Sequence, residues 1–414
     1  MKKLPELLAP AGTLAAFKTA ILYGADAIYA GLPGFSMRAR AKITPDEVKA
    51  GIDLAHAASK RVYLAFNLFA HDFEYENMPR VSEMIRCLAP DALIVSDPGV
   101  MSWVREHHPD MPIHISTQAN ICSARTVKFW QAAGAKLCVL AREVSHHEFK
   151  SIRAACPDMG LEIFIHGAMC MSYSGRCLLS NFITGRPANR GACAQPCRWK
   201  YDVILRESDT GREMEIEEDM RGAYIMNSRD LCLMPRLAEV LAAGPDSLKI
   251  EGRNRSEYYV GSVTRAYRAA MDAYARDPEH FDATTFMNAL NVLETRGYTT
   301  AFFDGPVTAD AHNYQSARSS SEYHAAGVIT AQCADHLVFE LRNETHAGDT
   351  VNFILPGDIT PHAVTLPQLI NAKTGQCVPK MAAGQNNAII IPREWLGNGH
   401  YDKFVPYVLA YKRK

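Results

Sequence analysis

Four of the eleven cysteines, Cys170, Cys177, Cys193 and Cys197, fall within one short stretch of the 414-residue chain. A soluble chain without an export signal keeps its thiols reduced, so such a cluster points to metal ligation or redox chemistry rather than to disulfide staples. Thiolate is a soft ligand for zinc, copper(I) or iron–sulfur clusters. The gaps of six, fifteen and three residues contain neither the paired C-x-x-C knuckles of a zinc ribbon nor a C-x-x-x-C-x-x-C triplet. An iron–sulfur site in an intracellular enzyme is the reading that follows.

The elements around the cluster say where such a site would sit. From residue 5 to about 275, short apolar runs alternate with amphipathic stretches. The runs Glu6–Ala9, Ala27–Gly31, Val62–Asn67, Ala92–Asp97, Ile113–Gln118, Leu137–Arg142, Leu161–His166 and Ser247–Arg253 read as strands buried on both faces. Pro45–Ala58, Gly99–His107, Ala124–Ala133 and His146–Ala155 read as helices, and Ser256 as the N-cap of another over Ser256–Ala275. Eight strands separated mostly by helices fit a closed TIM-like β/α barrel, and Pro10-Ala11-Gly12-Thr13 is not a phosphate loop of an open sheet.

The connection between the seventh and eighth strands runs about 80 residues, far beyond the usual 2–6. It holds all four clustered cysteines just after a strand's C-terminal end, where barrel active sites lie. It therefore reads as a cap over the mouth, with Tyr201–Leu205 and Ala223–Met226 pairing around the acidic run Arg212–Asp219. Polar residues at the strand ends, namely Asn67, Asp97, Gln118, Arg142, Glu143, His166, Glu251 and Arg253, are expected to converge there. A helix over Ala283–Arg296 closes this part. The expected division is a barrel domain over 1–309 with a cysteine-rich insertion over 168–246, a polar linker over 310–325 and a small all-β barrel over 326–414. Strands of the last are expected at Val328–Thr330, Leu337–Leu341, Thr350–Ile354, Ala388–Ile391 and Phe404–Leu409.

Composition narrows the partners. The net charge of −1 gives no global attraction to nucleic acid, so an RNA would be met by local patches. Arg38, Arg40 and Lys42 form one; Arg186, Arg190, Arg198 and Lys200 form another. No run of about 18 apolar residues spans a membrane, and Pro5 and Glu6 interrupt any signal core, so a cytoplasmic location is expected. Oligomeric state is not legible. Two other classes stay open. A cysteine protease could pair His166 with Cys170, although no G-x-S-x-G or H-E-x-x-H motif is present. A non-catalytic RNA-binding protein could close a structural zinc with four thiolates.

The segment Glu162-Ile163-Phe164-Ile165-His166-Gly167-Ala168-Met169-Cys170, with Tyr173-Ser174-Gly175-Arg176-Cys177-Leu178-Leu179-Ser180, closely resembles the signature of the U32 collagenase-like peptidase family. Gly191-Ala192-Cys193-Ala194-Gln195-Pro196-Cys197-Arg198, Asn227-Ser228-Arg229-Asp230-Leu231-Cys232 and Leu248-Lys249-Ile250-Glu251-Gly252-Arg253 resemble its later blocks, and Glu6–Gly12 and Gly24–Gly31 its first. The family is associated with hydroxylation, and the resemblance is greatest to members that convert the wobble uridine of tRNA to 5-hydroxyuridine with dependence on prephenate. It implies a four-iron, four-sulfur (4Fe-4S) cluster on Cys170, Cys177, Cys193 and Cys197, with Cys232 as an alternative to Cys197, and tRNA and an electron donor as partners. Under that chemistry Arg38, Arg142 and Arg253 would hold the dicarboxylate by bidentate pairing. Asn67 and Gln118 would help bind substrate, and His166 or Glu251 would move protons. Tyr173, Phe182 and Trp199 could stack on an unpaired base.

Overall fold

The computed structural model describes residues 4–36, 43–170, 172–173, 176–186, 188, 192–199, 204–206, 213–215, 228–307, 311, 319–384, 387–397 and 401–414, with only the backbone course for 204–206 and 213–215. Short apolar runs become strands β1 (Glu6–Pro10), β2 (Ala27–Gly31), β3 (Arg61–Phe66), β4 (Ala92–Val95), β5 (Ile113–Ile115), β6 (Leu137–Val139) and β7 (Gly160–Gly167). Between them lie helices α1 (Leu14–Leu22), α2 (Pro45–Ala57), α3 (Asp72–Tyr75), α4 (Met78–Leu88), α5 (Pro98–His107), α6 (Ala124–Ala132) and α7 (His146–Ala155). The side chains of Thr13, Thr44, Asp97, Ser123 and Ser145 fix five of the helix starts by accepting first-turn backbone N–H groups.

After β7 come α8 (Leu179–Thr184), β8 (Ile204–Arg206), β9 (Glu213–Glu215), β10 (Asp230–Cys232), α9 (Leu237–Ala243), β11 (Ser247–Ile250), α10 (Glu257–Arg276), α11 (Thr284–Leu290) and β12 (Tyr298–Thr299). β1 to β7 run parallel in chain order, and β11 pairs with both β7 and β1, closing an eight-stranded barrel as expected. Ser256 caps α10 by accepting from Tyr259 N.

Three expectations are corrected. The cap hairpin pairs Ile204–Arg206 with Glu213–Glu215, so the partner strand comes from within the acidic run; residues 223–226 lie outside the described residues. The closing helix ends at Leu290 rather than at Arg296; beyond it Thr295 bridges to Ser320 and Arg296 is drawn into an ion pair with Asp230, contacts that a continued helix would forgo. The last strand is Leu409–Arg413 rather than Phe404–Leu409. Pro406 lacks a ladder donor and Tyr407 sits at φ 73°, so the extended run starts only beyond them.

The C-terminal part consists of β13 (Tyr323–Gln332), β14 (His336–Leu341), β15 (Thr345–His346), β16 (Thr350–Ile354), β17 (His362–Thr365), β18 (Leu369–Asn371), β19 (Cys377–Val378), β20 (Lys380–Met381), β21 (Ala388–Pro392) and β22 (Leu409–Arg413). Eight of these form one curled antiparallel sheet, and β15 and β20 form a separate ribbon. Its inner face alternates in period two, and it encloses Phe339, Phe353 and Phe404. The sheet docks on α1 and α10. Tyr23 Oη donates to Ile354 O (2.7 Å) and accepts from Leu409 N (3.0 Å), and Gly261 lies so close to Leu409 that a Cβ would stand 2.7 Å from it.

One irregularity in β7 shapes the site. Lys249 of β11 pairs with Phe164, but Ile250 pairs with His166, leaving Ile165 as an extra residue. Such a bulge reverses the facing of everything beyond it. Glu162 and Phe164 face the barrel interior, whereas His166 turns outward against Tyr259, Tyr267 and Tyr298. The freed upper edge of β7 pairs antiparallel with β10, Leu231 with Gly167 and Cys232 with His166, which carries the returning cap chain back onto the barrel. Gly167 makes the turn at φ 118°, where a Cβ would meet Glu251 O at 2.5 Å.

Candidate active site

The barrel strands end sooner than the sequence pattern suggests, and the residues just past several of those ends form the rim. Gln118 lies in a 3₁₀ turn over Thr117–Ala119 capped by Ser116. The Ser96 hydroxyl sits 2.6 Å from Gln118 Oε1 and 3.3 Å from Asn67 O, tying two neighbouring loops. Past β11, Tyr29 Oη donates to Ile250 O (3.0 Å) and lies 3.5 Å from Glu251 Oε2, while Tyr259 Oη holds Glu251 O at 2.9 Å. Arg142 Nη2 stands 3.5 Å from Glu251 Oε2, and its guanidinium lies 3.9 Å from the Phe164 ring centre. Gly31 gives Arg253 its place: a Cβ there would come within 2.9 Å of the guanidinium.

Beneath this rim lies a charge pair set in two strands. Lys249 Nζ donates to Glu162 Oε1 (2.8 Å), Ser247 Oγ donates to Glu162 Oε2 (2.8 Å), and all three side chains are buried. Lys249 also lies over the Tyr29 ring at 4.4 Å. A buried ion pair survives only with such additional partners.

The cap brings the thiols over this floor. α8 is tied down by Ala194 N donating to Ser180 Oγ (2.9 Å). Gln195 N donates to Cys193 Sγ (3.3 Å), and Arg198 reaches Gln195 Oε1 (3.0 Å) and Met169 O (3.4 Å). Arg176 Nε donates to Asn120 Oδ1 (3.3 Å), joining cap to barrel rim. Cap and barrel enclose a cavity of about 220 Å³ whose wall includes Cys170, Cys177, Cys193 and Cys197 together with Asn67, Gln118, Arg142, Glu251 and Arg253.

Thus nine of the eleven sequence-derived site residues meet in one pocket. Arg38 lies outside the described residues. His166 does not line the pocket; its ring is buried, its Nδ1 has no hydrogen-bond partner among the described residues, and burial pulls its pKa down to about 3. Of the other strand-end groups, Asp97 caps α5 by accepting from Gly99 N and Val100 N, and Glu143 stays off the wall. Lys249, Tyr29, Ser116 and Phe164 belong to the pocket and escaped the sequence reading. A signal existed for Lys249: a charge in the middle of an apolar strand, beside Glu162 in another, marks positions facing a closed interior.

The donor set fits a thiolate-bound metal group. Burial pushes the pKa of Cys197 up and Arg198 opposes it, while the thiols of Cys170, Cys193 and Cys177 stand near enough to add to the push. Among the described residues no three His, Cys, Asp or Glu side chains are arranged to share a single metal ion. Cys232 is buried in the wall behind, with Sγ 3.8 Å from Tyr267 Oη and 3.7 Å from the Met287 sulfur, and its thiol is pushed up to about 11 by burial.

A closed β/α barrel with a cysteine-bearing cap at its mouth, and Arg142, Arg198, Arg253 and Lys249 on the wall of the pocket between them, defines the class of protein. The chain belongs to peptidase family U32, whose model matches residues 12–313. It is 38% identical over 431 residues to tRNA hydroxylation protein P of Escherichia coli K12, covering 94% of this chain and 93% of that one. A collagenase of Porphyromonas gingivalis W83 is 30% identical over 93% of this chain and 94% of its own length. A 23S rRNA 5-hydroxycytidine synthase of Escherichia coli K12 is 31% identical over 86% of this chain and 53% of its own.

Proposed function

We propose that the chain is an iron–sulfur RNA hydroxylase that converts the wobble uridine of tRNA to 5-hydroxyuridine and uses prephenate as co-substrate. One observation carries the reading: four thiols and the cationic side chains of Arg142, Arg198, Arg253 and Lys249 line a single pocket. The relatives named for RNA hydroxylation support the substrate class. A four-iron cluster held by Cys170, Cys177, Cys193 and Cys197 would supply one-electron chemistry and an iron able to polarise an oxygen. The Gln195 N–H on Cys193 is the kind of contact that tunes such a site.

Arg142, Arg198, Arg253 and Lys249 line the pocket against one carboxylate, Glu251, so a small dicarboxylate is the ligand their charges favour. Asn67, Gln118 and Ser116 offer hydrogen bonds to the edge of an extruded pyrimidine. Glu251, paired with Arg142 and beside Tyr29, is placed to hold or accept a proton. On the cap, exposed Tyr173, Phe182 and Trp199 give an unpaired loop bases to stack on. Among the described residues no helix is long and apolar enough to cross a membrane. A protease reading loses its dyad, because His166 faces α10 while Cys170 faces the pocket.

The test is anaerobic purification with iron, sulfide and absorption analysis, then nucleoside mass spectrometry of tRNA incubated with the protein and prephenate. The expected result is a brown protein and prephenate-dependent 5-hydroxyuridine, both lost on Cys193→Ser. Iron-free protein, or modification that survives the thiol substitutions, overturns the function.

A further inference from the structure

Barrel interiors are ordinarily filled by layers of branched apolar side chains. Here the layer nearest the N-terminal end holds Glu6, Ser247 and Glu162. Glu6 pairs with Ser247 in the β1–β11 ladder and Ser247 with Glu162 in the β11–β7 ladder, so the three stand side by side. Tyr63 Oη donates to Glu6 Oε2 (2.9 Å), the exposed Arg61 guanidinium pairs with the same carboxylate, and the buried His114 ring lies 4.6 Å from Tyr63. One layer up, Lys249 bonds Glu162 from above and lines the reaction pocket. Three buried ionisable groups thus run from the solvent end of the barrel to the floor beneath the thiols, and nothing in the site chemistry above uses Glu6 or Glu162.

We propose that this column is a proton path: Glu6 exchanges protons with solvent at the N-terminal end of the barrel, and Glu162 and Lys249 pass them to the pocket floor. If the chain works as proposed above, its reaction moves protons in a pocket covered by the cap, and the column supplies them from the opposite end. The Lys249 N–H bond breaks as its proton moves to bound substrate. The neutral amine is refilled through Glu162 from the Glu6 carboxyl, and the Glu6 carboxylate takes its proton from water beside Arg61. No electron moves, and one proton enters for each delivered. Lys249 is the group that touches substrate; Glu162 and Glu6 act through it.

The electrostatics suit the role. Burial pushes Glu6 up to about 7 against the pull of Arg61 and the Tyr63 hydroxyl, with Glu162 and Asp26 adding to the push. Burial holds His114 neutral, at about 3, and Lys249 and Arg61, which also face this layer, reinforce it. Glu6 is therefore placed to gain and lose a proton near neutrality.

Single-turnover tRNA hydroxylation by the full-length cluster-loaded protein, followed across the neutral range in H₂O and D₂O, tests the path. The wild-type rate should bend near pH 7. Glu6→Gln should lose that bend and slow the reaction on the order of tenfold or more, with tRNA affinity unchanged. Glu6→Asp should restore the bend. A Glu6→Gln protein with the wild-type rate and profile overturns the proposal. Infrared difference spectra judge it independently of activity. A neutral carboxyl band titrating near pH 7, absent in Glu6→Gln and displaced in Glu162→Gln, supports it. Absence of that band overturns it. A wild-type protein that leaves RNA unmodified sinks the hydroxylase function, and the infrared result still decides the column.

Discussion

The chain has two enclosed interiors built on opposite principles. The C-terminal sheet closes around Phe339, Phe353, Phe404 and aliphatic neighbours, all fully buried. The barrel, an equally closed wall of strands, sets the side chains of Glu6, Glu162, Lys249 and His114 inside it beside an apolar cluster of Leu8, Tyr29, Ala65 and Ile94. Desolvating those groups costs free energy that an apolar filling would not. The apolar interior holds its domain together; the charged one is held together by the rest of the barrel, with its outer helices and the packing of α10 on α1. A charged interior that persists at such a cost marks where the chemistry is.

Breaking the Lys249–Glu162 pair should produce the largest effect. Lys249→Met leaves Glu162 buried without its cation and should cost about 3–5 kcal/mol in urea unfolding. The double change Glu162→Leu with Lys249→Met removes both charges and should recover most of that stability. Activity should not return with it. Recovery of both would mean the pair is structural only, and the contrast between the two interiors would vanish.

Truncating the apolar interior should cost as much stability and little chemistry. Phe353→Ala removes a fully buried ring packed against Phe339 and Phe404, an expected loss of about 3–5 kcal/mol. The folded fraction should retain its rate per molecule, because this core lies outside the barrel. A large fall in that rate would show the C-terminal domain to be coupled to the pocket.

The same contrast explains what could be read without coordinates. Continuous apolar runs gave away the barrel strands, because burial on both faces leaves that pattern, and β14 and β16 fall where short strands were expected. The rim residues Asn67, Gln118, Arg142, Glu251 and Arg253 were legible for a related reason: a polar residue ending an apolar run has left the sheet. The four cysteines were legible by type and crowding. His166 misled because period two assigns it the facing of Glu162 and Phe164, and a single extra residue, Ile165, reverses that facing without a mark in the sequence. The cap hairpin misled because its second strand, Glu213–Glu215, lies inside the acidic run, where local composition offers no apolar alternation to fix a register.

Glu6→Gln should separate the interiors through pH. Raised from 4.5 to about 7, the native carboxyl keeps its proton where the unfolded chain has lost it. Its contribution is therefore fully present below about pH 4.5 and disappears as pH rises through 7, about 3 kcal/mol in all. The glutamine variant stays neutral, so its stability relative to wild type should improve as pH rises from 5 and level off just above pH 7. Parallel curves would place Glu6 in solvent contact at the barrel's lower end.

The smallest expected effect on chemistry is at His166, and it is the sharpest contrast with the sequence pattern. Ringed by Tyr259, Tyr267 and Tyr298 and held neutral down to about pH 3, it is placed to pack, not to shuttle protons. His166→Phe keeps an aromatic ring of similar size, so at neutral pH its stability should lie within about 1.5 kcal/mol of wild type and its hydroxylation rate within a few-fold. Below pH 6.5 the wild-type unfolded chain takes up a proton that the native ring refuses, so wild type should lose about 1.4 kcal/mol per pH unit that the phenylalanine variant does not. Thermal unfolding at pH 7.5 and pH 5.5 measures that gap. A hundredfold fall in rate with the stability pattern intact would instead put His166 back at the reacting atoms, and the bulge at Ile165 would have to straighten for it to reach them.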